Sequence, residues 1–260
     1  MRERGNIMLT SDINAISMAA ANKADVCSKQ FGKYFIRSIM AGFYIVIAAT
    51  ISHVTAAVLY PTYPQFGKVL SAAVFGIAIA LVVFIGGELF TGNNLTMAIG
   101  YYNSKCTFFD MWKVWLVNYL GNFVGTFFLS FLLVKSGASK AILETYYESF
   151  IYGKLEISPA EMVLRGILCN FMVCLAVWSG TRMKTETGKL VIIFLVIMTF
   201  VETGFEHCIA NMSFFTIGYF LLGGLDLELI LRSMLFVTLG NMLGGAVLLA
   251  LPLYLMSWDK

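Results

Sequence analysis

The chain has 260 residues, of which 59% are apolar and 13% are charged. Soluble domains carry about 45–50% apolar and about 25% charged residues, so this composition excludes an ordinary water-soluble domain. The formal net charge of +3 is spread along the chain without a basic block, so we expect no nucleic-acid partner. We expect instead an all-α membrane protein, because the apolar runs are long and continuous rather than the short alternations of a membrane β-barrel.

Residues 1–33 are predicted to form a cytoplasmic amphipathic segment. Apolar residues recur there at steps of three and four after the capping candidates Thr10 and Ser11, which is the spacing of one helix face. These residues are Ile13, Ile16, Ala20, Ala24, Cys27 and Phe31. We expect this helix to lie on the inner membrane surface or against the bundle.

Six apolar runs follow, and we interpret residues 34–256 as a six-helix transmembrane domain. The first run lies between Arg37 and Lys68 and ends at the turn 60–64, and the others are 69–100, 111–134, 162–179, 190–219 and 229–256. The first contains no charged residue between Arg37 and Lys68 and ends in an interfacial turn rich in Pro and Tyr. With the N terminus inside, twelve of the 18 Lys and Arg residues fall on the inner side. This predicts a multi-pass protein of the inner (cytoplasmic) membrane with both termini cytoplasmic, including a tail at 257–260.

The second and fifth runs are too long for one span, and both contain polar residues near their middles. The polar stretches are 86–94, which includes Glu88, and 202–211, which includes Glu206. Non-helical backbone at membrane depth is tolerated only where it is buried in protein or lines a cavity. The sequence therefore predicts two broken helices that meet at one internal site.

The two halves of the chain also resemble one another. The matching sets are Glu88 and Asn93 with Glu206 and Asn211, at an offset of 118, and 120–122 with 239–241, at an offset of 119. Three spans followed by three related spans must run in opposite directions, so we predict an inverted 3+3 repeat. Repeats of this kind place a broken helix from each half near the bilayer midplane.

Ionisable residues at membrane depth cost about 2.5–3.5 kcal/mol or more, so those in the two polar stretches are candidates for function. For the glutamates a structural role is the alternative, because a carboxylate can cap backbone N–H groups that a helix break frees. We therefore assign Glu88, Asn93, Glu206 and Asn211 a structural role at the breaks. His207 lies inside a polar stretch, which favours a pore-lining hydrogen-bond donor over a satisfied core histidine.

The sequence contains no pattern typical of a metal site or a catalytic centre. The neighbouring residues 206–208 cannot easily converge on one ion, and no CxxC or HExxH spacing supplies further ligands. No base lies at a motif-like spacing from a Ser, Cys or Thr nucleophile. The five cysteines are predicted to be buried free thiols. We expect neither a metal nor a cofactor, and we do not expect an enzyme.

Four segments resemble the formate/nitrite transporter family, which includes formate, nitrite and hydrosulfide channels. They are GELFTGN at 87–93, RGILCNFMVCLAVW at 165–178, GFEHCIANM at 204–212 and VTLGN at 237–241. The resemblance implies an aquaporin-like fold of six helices, a homopentamer in the lipid bilayer, and one pore in each protomer.

The resemblance also implies roles for individual residues, carried over by position. His207 corresponds to the central pore histidine, Thr91 to the hydroxyl in the first break, and Lys154 to the lysine of the outer vestibule. Without the resemblance, Lys154 would be interpreted as a solvated loop charge. The implied outer constriction is Phe75 and Phe200, the implied inner constriction is Ile79, Leu89, Phe90 and Val173, and Asn170 and Asn241 lie near the pore or support its loops. Ile79 stands where the family usually has leucine.

We therefore expect a channel or transporter for small monovalent weak-acid anions and protons, with protonation of the permeant near His207. Formate is favoured from the family alone, and nitrite and hydrosulfide are alternatives. A neutral-solute channel of the aquaporin type and a membrane-embedded enzyme are the other two classes. Anion-independent osmotic swelling would favour the former, and substrate turnover in detergent the latter.

Overall fold

The computed structural model describes residues 2–257, with side chains from residue 9 onward, and within that range it contains helices and no strand. The helices are α1 (Arg2–Lys29), α2 (Phe31–Leu59), α3 (Pro64–Phe75), α4 (Ile77–Leu81), α5 (Phe90–Tyr102), α6 (Phe108–Lys135), α7 (Lys140–Leu155), α8 (Pro159–Arg182), α9 (Glu186–Glu202), α10 (Cys208–Leu222), α11 (Leu227–Met242) and α12 (Leu251–Met256), with π-helical turns at Val82–Gly86 and Leu243–Ala250. The predicted all-helical class is confirmed. Of the predicted tail at 257–260, residues 258–260 lie outside the described residues.

Five helical stretches in the described part of the chain are long and apolar enough to cross a membrane. They are Phe31–Leu59, Pro64–Gly86, Phe108–Lys135, Pro159–Arg182 and Leu227–Met256. Each overlaps one of the predicted runs. The remaining run, 190–219, is divided between α9 and α10, whose 17 and 15 residues are each fewer than the roughly 20 of a full span.

Both predicted helix breaks are present. The first interruption is 87–89, between the π-helical turn Val82–Gly86 and α5, and the second interruption is 203–207, between α9 and α10. Gly86 and Gly204 have φ angles of 97° and 74°, a region that residues with a Cβ rarely adopt. These glycines are 118 residues apart, so both halves leave the helix at equivalent positions.

Helix α1 packs against the membrane bundle, but its start differs from the sequence expectation. Ile13, Ile16, Ala20, Ala24 and Cys27 form its buried face, as predicted. The predicted caps Thr10 and Ser11 are wrong, because the helix begins at Arg2. Buried Leu9 extends the apolar face toward the N terminus, and the Thr10 hydroxyl donates to the Ser257 carbonyl at 3.2 Å. The assignment of Phe31 to the buried face is also wrong, since this residue starts α2 and is half exposed.

Two pairs of spans cross at glycines in equivalent places. A Cβ atom at Gly125 of α6 would collide with the Ile39 carbonyl of α2. A Cβ atom at Gly244, in the π-helical turn after α11, would collide with the Ile167 carbonyl of α8. Small residues allow this close approach of backbones, which is how helices pack in membranes. Each crossing thus joins the first and third spans of one half, and the interruption lies in the span between them.

Candidate functional site

Each interruption is tied by a backbone hydrogen bond to the first span of its own half. The Glu88 N–H donates to the Arg37 carbonyl at 3.1 Å. In the other half, the Glu206 N–H donates to the Arg165 carbonyl at 3.3 Å. These bonds satisfy groups that the missing helical turns leave free, which lipid could not do.

Asn122 of α6 closes the first interruption. Its Nδ2 donates to the carbonyls of Ser38 and Glu88 at 2.7 and 3.0 Å. Its Oδ1 accepts from the Phe90 N–H at 3.0 Å, so it caps the start of α5. The side chain is fully buried, and its amide donors are both used by the backbone.

Asn241 closes the second interruption with the same set of bonds. Its Nδ2 donates to the carbonyls of Gly166 and Glu206, both at 2.8 Å, and its Oδ1 accepts from the Cys208 N–H at 2.8 Å. Because its donors and its acceptor all serve the backbone, this predicted site residue lies where it supports the loop.

Asn170 of α8 links α5, which follows the first interruption, to Asn241 of α11. Its Nδ2 lies 2.7 Å from the Asn241 carbonyl, 3.0 Å from Asn94 Oδ1 and 3.3 Å from the Thr91 carbonyl. The side chain is fully buried. The structure thus brings Asn170 and Asn241 together with Thr91 in one hydrogen-bonded group.

Glu88 is a buried carboxylate that binds side chains and not the helix backbone. Its Oε2 accepts from Asn93 Nδ2 at 2.8 Å and from the Tyr34 hydroxyl at 3.1 Å, and it pairs with the Lys23 ammonium of α1. Removing two charges from water is costly unless they are paired and hydrogen-bonded, as they are here. The expected capping of backbone N–H groups by this carboxylate is therefore not what the structure shows.

Glu206 repeats this arrangement in the second half. Its Oε2 accepts from Asn211 Nδ2 at 2.7 Å, and the Lys154 ammonium of α7 lies 2.8 Å from both carboxylate oxygens. The ammonium also lies over the rings of Phe150 and Phe214, 5.8 and 5.5 Å from their centroids. Lys154 is thus a partly buried cation at the second interruption rather than a solvated loop charge.

His207 is the last residue of the second interruption, and it contacts the first turn of α5, which follows the first interruption. Its Nε2 lies 2.9 Å from the Thr91 hydroxyl, and its Nδ1 accepts from the Ala210 N–H at 3.0 Å. A backbone N–H can only donate, so Nδ1 carries a lone pair and the hydrogen of the neutral ring is on Nε2. The imidazole therefore caps α10 and offers an N–H to Thr91. Both side chains are buried.

A cavity of about 380 Å³ opens beside His207. Its lining includes His53, Phe75, Lys154, Phe200, Glu206 and His207. The Phe75 and Phe200 rings meet edge to face at 6.1 Å, and Phe200 stacks on His207 at 5.9 Å. The two phenylalanines of the predicted outer constriction thus form one layer with the imidazole.

The four residues of the predicted inner constriction are all buried. They are Ile79, Leu89, Phe90 and Val173. The ring of Phe90 packs against Tyr119 and Trp115 of α6, with centroids 5.1 and 6.5 Å away. Part of its apolar surface is therefore used to seat α5 on α6.

The cysteines are free thiols, as predicted, although only four of them are buried. Cys27, Cys169, Cys174 and Cys208 are buried and Cys106 is half-buried. Among the side chains of 9–257, no group of three His, Cys, Asp or Glu residues is placed to hold a metal ion.

Sequence reasoning missed His53, Tyr147 and Lys23. His53 is a buried imidazole in a charge-free span, and its Nδ1 lies 2.7 Å from the Tyr147 hydroxyl. The rule that a titratable residue inside an apolar run deserves a functional hypothesis would have found it. Lys23 had no comparable signal, because its role appears only when α1 folds over Glu88.

The sequence of the chain matches the family model described as formate/nitrite transporter over residues 11–255. The chain belongs to the formate/nitrite transporter family. It is therefore a multi-pass membrane protein of a family of transporters and channels, and the resemblance stated from its motifs is confirmed.

Known relatives agree with this assignment. The nitrite transporter NirC of Escherichia coli (strain K12) is 31% identical over 252 residues, covering 94% of this chain and 91% of NirC. A solved structure of an FNT family ion channel superposes with a TM-score of 0.88 at 29% identity, covering 95% of this chain and 98% of that one. A pentameric formate channel with formate bound gives a TM-score of 0.76 at 26% identity, covering 88% and 98%. The predicted fold class is thus confirmed by solved members of the family.

Proposed function

We propose that this chain conducts small monovalent weak-acid anions across the membrane, with formate as the leading substrate, past the point where Thr91 and His207 meet. The observation that carries this proposal is their 2.9 Å hydrogen bond, which joins the first turn of α5 to the end of the second interruption inside the bundle. One solved relative holds formate and another relative is named a nitrite transporter. Nitrite and hydrosulfide are the alternative substrates.

The permeant crosses the narrow region as the neutral acid. An acid with a pKa of about 4 is roughly one part in a thousand protonated at pH 7, so neutralising it costs about 4 kcal/mol. Moving a bare carboxylate into a dry, apolar medium can cost tens of kcal/mol by Born estimates. The layer of Phe75 and Phe200, and the buried Ile79, Leu89, Phe90 and Val173, supply such a medium.

Lys154 attracts the anion into the cavity. An ammonium has three N–H donors, and the two carboxylate oxygens of Glu206 occupy part of this capacity. The remaining donor is available to an oxygen of the anion. The N-terminal end of α10, which begins at Cys208, adds a favourable partial positive charge.

His207 acts as a hydrogen-bond donor to the permeant and not as its acid. Loss of the Nε2 proton from the neutral ring would leave an imidazolate, which is too basic to form here. Protonation at Nδ1 would place a second N–H against the Ala210 N–H, and two donors cannot hydrogen-bond to each other. The proton is therefore relayed near His207 from water or another group, while Nε2–H and Thr91 orient the permeant.

Flux into proteoliposomes tests the proposal. Replacing His207 by Ala removes one hydrogen bond of about 1.4 kcal/mol to the permeant, so formate flux should fall about tenfold. Lys154→Glu should reduce flux further, because it places a second negative charge beside Glu206. Thr50→Ala, on α2 and hydrogen-bonded only to its own helix, is the control. Unchanged flux in both site variants would defeat the assignment.

The same liposomes separate the substrate classes. Competition among formate, nitrite, acetate and lactate should rank formate first. Osmotic swelling that does not depend on the anion would instead identify a neutral-solute channel.

The homopentamer and the placement in the inner membrane with cytoplasmic termini are also part of this proposal. The pentameric relative supports the former, and the charge distribution supports the latter.

A further inference from the structure

A second imidazole faces the cavity beside His207. His53 of α2 is only 4% exposed, and it lines the same cavity as Lys154 and His207. Its ring is enclosed by aromatic rings, with the centroids of Phe150 and Phe214 both 4.5 Å away. The imidazole of His53 is therefore a polar group in an aromatic part of the cavity wall.

One nitrogen of His53 is held and the other is free. Nδ1 lies 2.7 Å from the hydroxyl of Tyr147 on α7. Nε2 has no hydrogen-bond partner among the side chains and backbone of the described residues, and the ring borders the cavity. Burial raises the pKa of the Tyr147 phenol well above its usual value, so this partner remains a hydroxyl. A hydroxyl can donate or accept.

This partner distinguishes His53 from His207. The Ala210 N–H that faces His207 can only donate, so protonation of His207 at Nδ1 would break this hydrogen bond. The Tyr147 hydroxyl can rotate, donating to a bare Nδ1 and accepting from a protonated one. His53 can therefore gain and release a proton while Nδ1 stays hydrogen-bonded.

The charges around the cavity decide when His53 is protonated. Besides His53, the titratable or charged groups that line the cavity or contact His53 are Lys68, Tyr146, Tyr147, Lys154, Arg165, Glu206 and His207. The carboxylate of Glu206 is already paired with Lys154, while Lys68 and Arg165 pair with Glu202 and Glu161. An imidazolium in the empty cavity would thus lack a counterion, whereas an anion beside it supplies one.

We propose that His53 binds the permeant anion in the cavity and protonates it there, an inference that rests on the proposed function. The Nε2–H bond of the imidazolium breaks and an O–H bond forms on the anion. Neutral His53 keeps its Nδ1 hydrogen, which Tyr147 accepts, and the neutral acid moves on to Thr91 and His207. A proton from the outside solution, carried as hydronium through water in the cavity, restores the imidazolium when the next anion arrives, so that no hydroxide is left behind. Proton and anion thus enter together.

The test measures channel-mediated formate influx and the accompanying acidification in liposomes carrying the full-length chain. Near neutral pH the free acid is scarce, so His53→Gln should lower influx about tenfold at about pH 7.5. At about pH 5 the solution supplies far more neutral acid, and the loss should shrink to about twofold. Tyr147→Phe should show the same pH pattern with about a threefold loss at the higher pH. Thr50→Ala, on the helix that carries His53, should match the wild type at both pH values.

Each other result has a defined meaning. If the wild-type chain moves neither formate nor nitrite above protein-free liposomes, the proposed function fails. If the wild type moves formate while His53→Gln loses the same factor at both pH values, or loses nothing, the inference is overturned. Should His53→Gln fail to assemble by size exclusion, Tyr147→Phe decides, and a wild-type pH profile in that variant overturns the inference.

Discussion

Leu89 and His207 occupy equivalent positions, 118 residues apart, immediately before the helices that follow the two interruptions. Leu89 offers α5 no side-chain cap, whereas His207 caps α10 through Nδ1. Thr91 in turn corresponds to Ile209. The polar pair at the centre therefore combines one side chain from each half at positions that are not equivalent. A repeated scaffold thereby holds a site with different chemistry on its two sides.

Asn241→Ala should destabilise the protein by about 2–4 kcal/mol, because it removes the side-chain hydrogen bonds to the Gly166 and Glu206 carbonyls and to the Cys208 N–H at a buried position. Thermal unfolding in detergent measures this loss. Asn14→Ala, an exposed amide on α1, is the control and should be nearly neutral. Equal unfolding temperatures for the two variants would contradict the role of Asn241 as a support.

At the residue scale the sequence predicted that Glu88 and Asn93 correspond to Glu206 and Asn211, because the two sets share one spacing. It did not predict what the carboxylates bind. Their cationic partners Lys23 and Lys154 come from helices distant in the chain, and contacts of that kind have no local pattern. For Lys154, only the family resemblance indicated the vestibule.

Helices α1 and α7 serve the two halves in the same way. Each lies before a three-span half, and a lysine in its last third pairs with the glutamate of one interruption. The pairs are Lys23 with Glu88 and Lys154 with Glu206. The sequence predicted α1 but not α7. Leu143, Tyr147, Ile151 and Leu155 recur at four-residue steps and are buried, yet α7 also carries charged residues such as Lys140, Glu144 and Glu148 and lies within a long connection. Tertiary packing thus decides this helix more than its own pattern does.

Lys23→Met should loosen α1, because it leaves Glu88 as a buried carboxylate without its ammonium. Hydrogen exchange of the α1 amides should accelerate about tenfold or more. Lys29→Met is the matched control, since its partner Asp25 is exposed and surface pairs contribute little. Similar exchange in both variants would mean that the apolar face alone holds α1 in place.

Gly125→Ala should prevent close crossing of α6 with α2, because the new methyl group would collide with the Ile39 carbonyl. We expect a loss of about 1–3 kcal/mol or failure to assemble, seen as a lower yield of folded protein in detergent. Gly180→Ala in α8 meets no atom within 4 Å and should instead be neutral or slightly stabilising. Equal behaviour of the two variants would remove the steric argument.

The molecule as a whole leaves a broad apolar surface for lipid or for neighbouring subunits. On α6 alone, Phe123, Phe127, Phe128 and Phe131 are exposed.

The composition predicted the membrane environment, and the two polar stretches predicted the breaks. The π-helical turns at Val82–Gly86 and Leu243–Ala250 were not predicted, since their largely apolar sequences continue the helical runs and their glycines do not specify a π-helical turn.

Native mass spectrometry of the protein released from mild detergent should show five copies of the chain. The expectation rests on the pentameric solved relative and on the exposed aromatic face of α6. A charge on that face, as in Phe127→Glu, should shift the population toward smaller species if the face is a subunit contact. A monomer in the wild type under the same conditions would contradict the pentamer.

The Tyr119 hydroxyl lies 3.0 Å from the Thr238 hydroxyl, and these two positions are themselves equivalent at the offset of 119 that relates α6 to α11. Equivalent positions can touch only close to the axis of symmetry that interchanges them. The two halves thus meet in the manner of an isologous dimer, at an interface between α6 and α11. Because both halves belong to one polypeptide, the two sides of this interface can carry different side chains, which two identical subunits could not do.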